Sequence, residues 1–131
     1  MTIKRVNPPS LSPPTGFSHV VHGNGQVVFL AGQTAQDATG AIVGETVVDQ
    51  FERALANLVE AITGAGASVD HLAKLVVYCT DVEGYLNSLK DLGRIWQRLV
   101  GREYPAMTFV GVQRLFDPAA LIELDGFVIR P

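Results

Sequence analysis

The run Leu75-Val76-Val77-Tyr78-Cys79 constrains the fold of this chain more than any other feature. It is rich in β-branched and aromatic residues, and it is apolar on both of its faces, as strands inside a covered sheet are. Apolar residues at helical spacing lie both before and after it. A sheet with this run as its middle strand and helices on one side is therefore predicted.

The first helix is predicted to begin after Thr46, whose hydroxyl can cap the first turn together with Asp49 three residues on. Gly64 or Gly66 is placed to end it, because glycine readily adopts the conformation that closes a helix. The apolar stripe consists of Val48, Phe51, Leu55, Leu58 and Ile62. Such a stripe predicts a helix that packs on the sheet.

The second helix is predicted to begin after Asp81, which can cap its first turn, and to end at Gly101. Its apolar stripe is interrupted by one glycine, Gly93, and consists of Leu86, Leu89, Leu92, Trp96 and Leu99. A single continuous helix is expected over this segment.

Strands are also expected at residues 18–22, 26–31, 107–113 and 120–129. The segment Gly23-Asn24-Gly25 between the first two predicts a tight hairpin. The order ββαβαββ predicts an α+β domain with two helices on one face of a mixed sheet. Two helices cannot cover both faces of the sheet, so the other face is expected to be covered by an oligomeric partner.

Composition predicts one domain over residues 1–131, of which 1–15 form an extended, proline-rich N-terminal segment. The net charge is −3 and the ten Lys and Arg residues are scattered, which disfavours nucleic acid as a partner. No apolar run is long enough to span a bilayer, so no membrane partner is expected. The lone Cys79 and the lack of a signal-peptide pattern favour a cytoplasmic location.

Two carboxylates, Glu123 and Asp125, alternate onto one face of the last strand. They could exchange protons with a bound substrate, or they could face solvent or pair with arginines at a subunit contact. Met107 and Phe109 share one face of the preceding strand, where they form either a pocket wall or part of the core. His19 could act as an acid or base or be structural. No acids or histidines have metal-ligand spacing, and no cofactor is expected.

Several segments resemble the Rid family, also called YjgF or L-PSP. Residues 16–20 are similar to its Pro-Tyr-Ser-Gln-Ala segment, and residues 29–33 to its hydrophobic-Ser-Gly-Gln motif. Residues 104–112 carry its Pro-Ala step into a hydrophobic strand, and residues 122–125 resemble its terminal Ile-Glu-Ile-Glu. The resemblance implies a chorismate-mutase-like protomer, a homotrimer, and three pockets at subunit interfaces.

In the deaminases of that family an arginine binds the carboxylate of a 2-imino acid, and a glutamate matched by Glu123 positions the attacking water. Here the arginine position is Met107, the pocket tyrosine is Phe17, the serine is Ala31, and a small or thiol residue is Phe109. Four of five pocket groups have lost their polarity. The expected substrate-binding residues are Phe17, Ala31, Gly32, Met107, Thr108 and Phe109.

These substitutions favour hydrolysis, or another proton transfer, on a small uncharged or aromatic imine, enamine or related C–N compound, with Glu123 as acid/base or water anchor. The alternative is a non-catalytic trimer that binds a hydrophobic metabolite or a protein. A Glu123 carboxylate beside Met107 and Phe17 would favour chemistry. One that faces solvent or is held in an ion pair would favour binding.

Overall fold

The computed structural model describes residues 3–131, which form ten short elements in one α+β domain. In chain order they are β1 (Lys4–Val6), β2 (Val20–His22), β3 (Gln26–Phe29), α1 (Val47–Gly64), a 3-10 turn (Val69–His71), β4 (Leu72–Cys79), α2 (Val82–Leu86), α3 (Leu89–Leu99), β5 (Ala106–Gly111) and β6 (Ile122–Arg130). The predicted fold class is confirmed.

The main sheet has four strands in the order β3-β6-β4-β5. β4 pairs antiparallel with β6 on one side and parallel with β5 on the other. The predicted middle strand is therefore an internal strand. Its alternate residues Leu75, Val77 and Cys79 are fully buried, because they face the helices.

The hydrophobic core lies between this sheet and the helices α1 and α3. Leu55 and Leu58 of α1 are fully buried, and so is Leu124 of β6. Trp96 of α3 is also buried in this core. Strand alternation places every second residue of β6 into the core and leaves the others on the opposite face.

The opposite side of the sheet, called here the open face, is not covered by any helix among residues 3–131. Val27 and Phe29 of β3 project there, and Phe29 is 76% exposed. The ring of Phe29 meets that of Phe127 edge to face, with centroids 5.9 Å apart. Exposed apolar side chains on one sheet face are typical of a surface that is buried by another chain.

The expected hairpin between residues 18–22 and 26–31 is wrong. β2 pairs with β1, and β3 pairs with β6. The glycine segment allows a close backbone approach, since a Cβ at Gly25 would collide with the carbonyl of Arg130. Gly25, with φ 149°, thus carries the chain past the end of β6.

The expected single helix after Asp81 is also wrong, since it is broken into α2 and α3. Asp81 caps α2 by accepting a hydrogen bond from the backbone N–H of Gly84 at 3.0 Å. Asn87 and Ser88 then interrupt the helix, and Ser88 leaves helical geometry at φ −122° and ψ 18°. Asn and Ser favour such breaks because their side chains compete for backbone hydrogen bonds.

The predicted cap of the first helix is confirmed. Thr46 Oγ1 accepts a hydrogen bond from the backbone N–H of Asp49 at 3.1 Å. No helix within residues 3–131 has the length and apolar character needed to cross a membrane.

Replacing Thr46 with alanine should lower the free energy of unfolding by about 1 kcal/mol, because the N–H of Asp49 loses its acceptor. Thr46→Ser keeps the hydroxyl and should retain most of that stability. Urea denaturation of the two variants and the wild type at one chain concentration measures the difference. Equal stability of Thr46→Ala and wild type would contradict the cap.

Candidate functional site

A cavity of about 380 Å³ lies on the helix side of the sheet, between β5 and the helices α2 and α3. We call it the aromatic pocket. It is lined by Thr15, Gly16, Phe17, Phe51, Tyr85, Leu86, Leu89, Leu92, Gly93, Trp96, Tyr104, Met107 and Phe109. Three of the predicted binding residues, Phe17, Met107 and Phe109, are therefore brought together in one cavity.

Phe17 reaches the pocket because its segment runs beside the start of β5. The backbone N–H of Ser18 donates to the carbonyl of Pro105 at 2.9 Å. The buried Ser18 hydroxyl donates to the carbonyl of Tyr104 at 2.7 Å. Gly16 turns the chain into this position with φ 75°.

Met107 and Phe109 project to the helix side because β5 pairs in parallel with β4. Met107 lies beside Leu75, and Phe109 beside Val77, both of which are core residues. The Phe109 ring packs on that of Tyr85, with centroids 4.5 Å apart. The structure therefore partly supports both interpretations of these residues, as a pocket wall and as part of the core.

The helix wall of the pocket was missed from the sequence. Tyr85 and Leu86 come from α2, and Gly93 and Trp96 from α3. Trp96 stacks on Tyr104 at 5.5 Å with the two rings nearly parallel. The glycine that interrupts the apolar stripe was the available signal, because it marks a gap in an otherwise packed helix face.

Glu123 lies on the open face, on the other side of the sheet from the aromatic pocket. It stands opposite Tyr78 of β4, while Asp125 stands opposite Val76. Thr108 is on this face too, where its hydroxyl accepts a hydrogen bond from Lys74 Nζ at 2.9 Å. In one chain, therefore, Glu123 does not meet Met107 or Phe17.

Gly32 fits against Glu123. Two backbone hydrogen bonds between Gln33 and Leu124, of 2.8 and 2.9 Å, bring the two segments side by side. A Cβ on Gly32 would collide with the Glu123 carboxylate. Ala31 is exposed next to it. The second group of predicted residues is thus Ala31, Gly32, Thr108 and Glu123.

The carboxylate of Glu123 has no ion-pair partner among residues 3–131, and neither has Asp125. No buried side-chain oxygen in this part of the chain lacks a hydrogen-bond partner. Glu123 is half-buried, and its carboxylate oxygens therefore keep some contact with solvent in the single chain. This is the arrangement expected of a binding protein unless another chain covers them.

His19 packs edge to face on Phe17, with ring centroids 5.0 Å apart. Its Nε2 lies 2.7 Å from the carbonyl of Ser12, and its backbone N–H donates to Asn7 Oδ1 at 2.8 Å. A carbonyl only accepts, so Nε2 carries a proton. These contacts favour the structural interpretation, in which His19 holds the N-terminal segment in place through hydrogen bonds.

No cluster of three or more His, Cys, Asp or Glu side chains that could hold a metal ion occurs between residues 3 and 131. The side-chain polar groups of the pocket residues are the hydroxyls of Thr15, Tyr85 and Tyr104 and the indole N–H of Trp96, which donates to the carbonyl of Glu103 at 3.1 Å. Burial, and to a lesser degree the nearby Cys79, raises the pKa of Tyr85 to about 12 from its ordinary 10.0. Tyr85 therefore offers a neutral hydroxyl throughout the physiological range.

The raised pKa of Tyr85 predicts a stability change in alkaline solution. Its stabilising contribution is complete below pH 10 and is lost as the pH rises through the folded-state pKa near 12. Between pH 9 and 11 the wild type should lose unfolding free energy on the order of 1 kcal/mol more than Tyr85→Phe does. Denaturation of both proteins at the two pH values measures this, and parallel losses would contradict the burial of the hydroxyl.

Comparison with known proteins gives consistent similarities. The Endoribonuclease L-PSP family model matches residues 8–130. A RutC family protein of Pyrococcus abyssi is 31% identical over 107 residues, which cover 81% of this chain and 80% of the relative. A Rid-family protein of unknown function from Yersinia pestis has a crystal structure with a TM-score of 0.88 at 32% identity, covering 98% of this chain and 99% of that one. For a putative endoribonuclease from Thermotoga maritima the TM-score is 0.69 at 25% identity, covering 95% and 92%.

Proposed function

Because this chain belongs to the Rid (L-PSP) family, we propose that it hydrolyses the C–N bond of a small imine or enamine, or transfers a proton on a related C–N compound, in a pocket shared by two copies of the chain. The observation that carries the proposal is the separation of Glu123 from the aromatic pocket. The two groups of site residues lie on opposite faces of the same sheet.

A second copy of the chain joins the two groups. The open face is apolar at Val27, Phe29 and Phe127, and such a face is stabilised when another chain buries it. In the homotrimer that the family resemblance implies, Glu123 of one copy meets the aromatic pocket of its neighbour. The carboxylate then has a substrate beside it instead of solvent.

The substrate differs from a typical 2-imino acid. A carboxylate needs a cationic partner when water is removed from it, and a guanidinium is the best such partner. Met107 stands where the family's deaminases have that arginine, and no charged side chain lines the aromatic pocket. A neutral substrate suits this lining.

Glu123 has one chemical task in this scheme. Water forms a bond to the imine carbon while its proton passes through the Glu123 carboxylate to the imine nitrogen. The hydroxyl proton of the resulting carbinolamine then passes through the same carboxylate to the amine nitrogen, the C–N bond breaks as the C=O bond forms, and ammonia leaves a carbonyl compound behind. Gly32 leaves the space in which the carboxylate is held.

A second candidate function is a non-catalytic homotrimer that binds a hydrophobic metabolite or a protein partner. The solvent-facing carboxylate of Glu123 in the single chain favours it. Hydrolysis is preferred here because the Glu123 carboxylate lies against Gly32, where any larger residue would displace it.

Introducing an arginine tests whether the scaffold is intact. With 2-iminopropionate generated in solution, wild type should release ammonia at the background rate, and Met107→Arg should raise the rate about tenfold or more. Met107→Leu is the matched control and should stay at background. Adding Glu123→Gln to Met107→Arg should abolish the gain.

A wild type that already hydrolyses 2-iminopropionate, and that loses this activity in Glu123→Gln, would show that another group binds the carboxylate. Failure of Met107→Arg in a folded, assembled protein would favour the non-catalytic function.

Assembly through the open face is tested with a charge. Wild type should sediment with about three times the 14.1 kDa chain mass, whereas Phe29→Glu should give single chains, because a buried carboxylate without a partner is unfavourable. Leu11→Glu adds the same charge at another exposed apolar residue outside the sheet and should leave the assembly unchanged. A monomeric wild type, or an assembled Phe29→Glu, would contradict the shared site.

A further inference from the structure

Gly93 is the feature of α3 that the rest of the chain does not explain. It lies in the interior of the helix, where glycine costs about 1 kcal/mol relative to alanine. Its φ is not positive, and a Cβ placed on it would meet no atom within 4 Å. Neither the backbone nor a neighbour within residues 3–131 therefore requires a glycine here. Gly93 instead borders the aromatic pocket.

The walls around this space are aromatic and packed on one another. Tyr85 contacts both Phe51 and Phe109, with ring centroids 6.3 and 4.5 Å away. On the other side Trp96 stacks on Tyr104. Side chains held in this way form a largely preformed cavity.

Leu86 and Leu89 stand at the rim of the same cavity and are unusually exposed, at 50% and 56%. Leu86 is the last residue of α2 and Leu89 the first of α3, so they flank the break between the two helices. Covering two half-exposed leucines is favourable for any apolar group that enters the cavity.

The lining also excludes charge. None of the thirteen lining residues of one chain is ionised, and their side-chain polar groups are three hydroxyls and the indole N–H of Trp96, which already donates to the carbonyl of Glu103. An ionised ligand group would lose water here without gaining a counter-ion. A flat neutral ring loses little hydration free energy on entering the cavity and can stack on the aromatic walls. A pocket hydroxyl can form a hydrogen bond with one polar atom of such a ligand. The volume of about 380 Å³ is within the range of small-molecule sites.

We infer that the space bounded by Gly93, Tyr85 and Trp96 binds an uncharged aromatic ring of the ligand, and that Gly93 sets the size of the ring it accepts. This inference rests on the proposed function, since it names the class of substrate for the same pocket. It adds that the reacting C–N group is attached to a ring.

Two fluorescent probes with the same ring skeleton test whether the pocket binds an aromatic ring and whether it excludes an ionised group. N-phenyl-1-naphthylamine is neutral, and 1-anilinonaphthalene-8-sulfonate is the same molecule with an anionic group. The neutral probe should bind the assembled wild type about tenfold or more tightly than the anionic one. Trp96 is the single tryptophan of the chain and lines the cavity, so energy transfer from it reports that the probe is bound to the chain, and the glycine variants below locate the site.

A matched pair of glycine substitutions locates the site. Gly93→Leu fills the cavity from a helical position where no atom obstructs the Cβ, so the fold should persist, and affinity for the neutral probe should fall about tenfold or more. Gly64→Leu adds the same side chain to another helical glycine with no neighbour within 4 Å, outside the cavity, and should bind like wild type. Thermal unfolding verifies that both variants are folded.

Equal binding of the two probes, or equal binding by wild type and folded Gly93→Leu, would overturn the inference. So would the absence of neutral-probe binding to the assembled protein, since a neighbouring copy would then occupy the cavity. Probe binding without C–N hydrolysis would contradict only the proposed reaction, and hydrolysis without probe binding only this inference.

Discussion

The antiparallel pairing of β4 with β6 is the constraint on which the rest of the structure depends. Its register places Leu124 beside Val77 in the core and, one residue earlier, Glu123 beside Tyr78 on the open face. A shift of one residue would bury the carboxylates and expose the core leucine, and its free-energy penalty makes the register unique. The side of the sheet on which Glu123 lies is thus determined by the burial of its neighbours.

The same alternation along β5 places the residues that line the aromatic pocket on the helix side of the sheet, opposite to Glu123. Met107 and Phe109 share the helix face with Leu75 and Val77, so a cavity forms between them and the helices. In the proposed function, the aromatic pocket and Glu123 are the two halves of one site, carried on the two faces of the sheet. Exposed apolar side chains such as Phe29 supply the physical reason for chains to associate. Under the proposal, association of the chains also completes the site.

Local patterns allowed much of this to be predicted. The middle strand, the cap at Thr46 and the common face of Glu123 and Asp125 depend only on residues close in sequence. The false hairpin arose because the partner of β2 is Lys4–Val6, a strand that only tertiary pairing reveals. The helix wall of the pocket was missed for a similar reason. Tyr85 and Trp96 both line the pocket, but they lie on two helices that are separated by the interruption at Asn87 and Ser88.

Subunit complementation tests most directly the central claim that the two halves of the site come from different copies. The double variant Met107→Arg, Glu123→Gln and the wild type should each be inactive on 2-iminopropionate, because one lacks the carboxylate of Glu123 and the other lacks the arginine. Refolded together, they should form mixed oligomers in which the arginine of one copy meets Glu123 of the next, and ammonia release should appear. A mixture no more active than its separate components, under conditions where Met107→Arg alone is active and mixed oligomers are present, would show that the site is contained in one chain and would contradict the account.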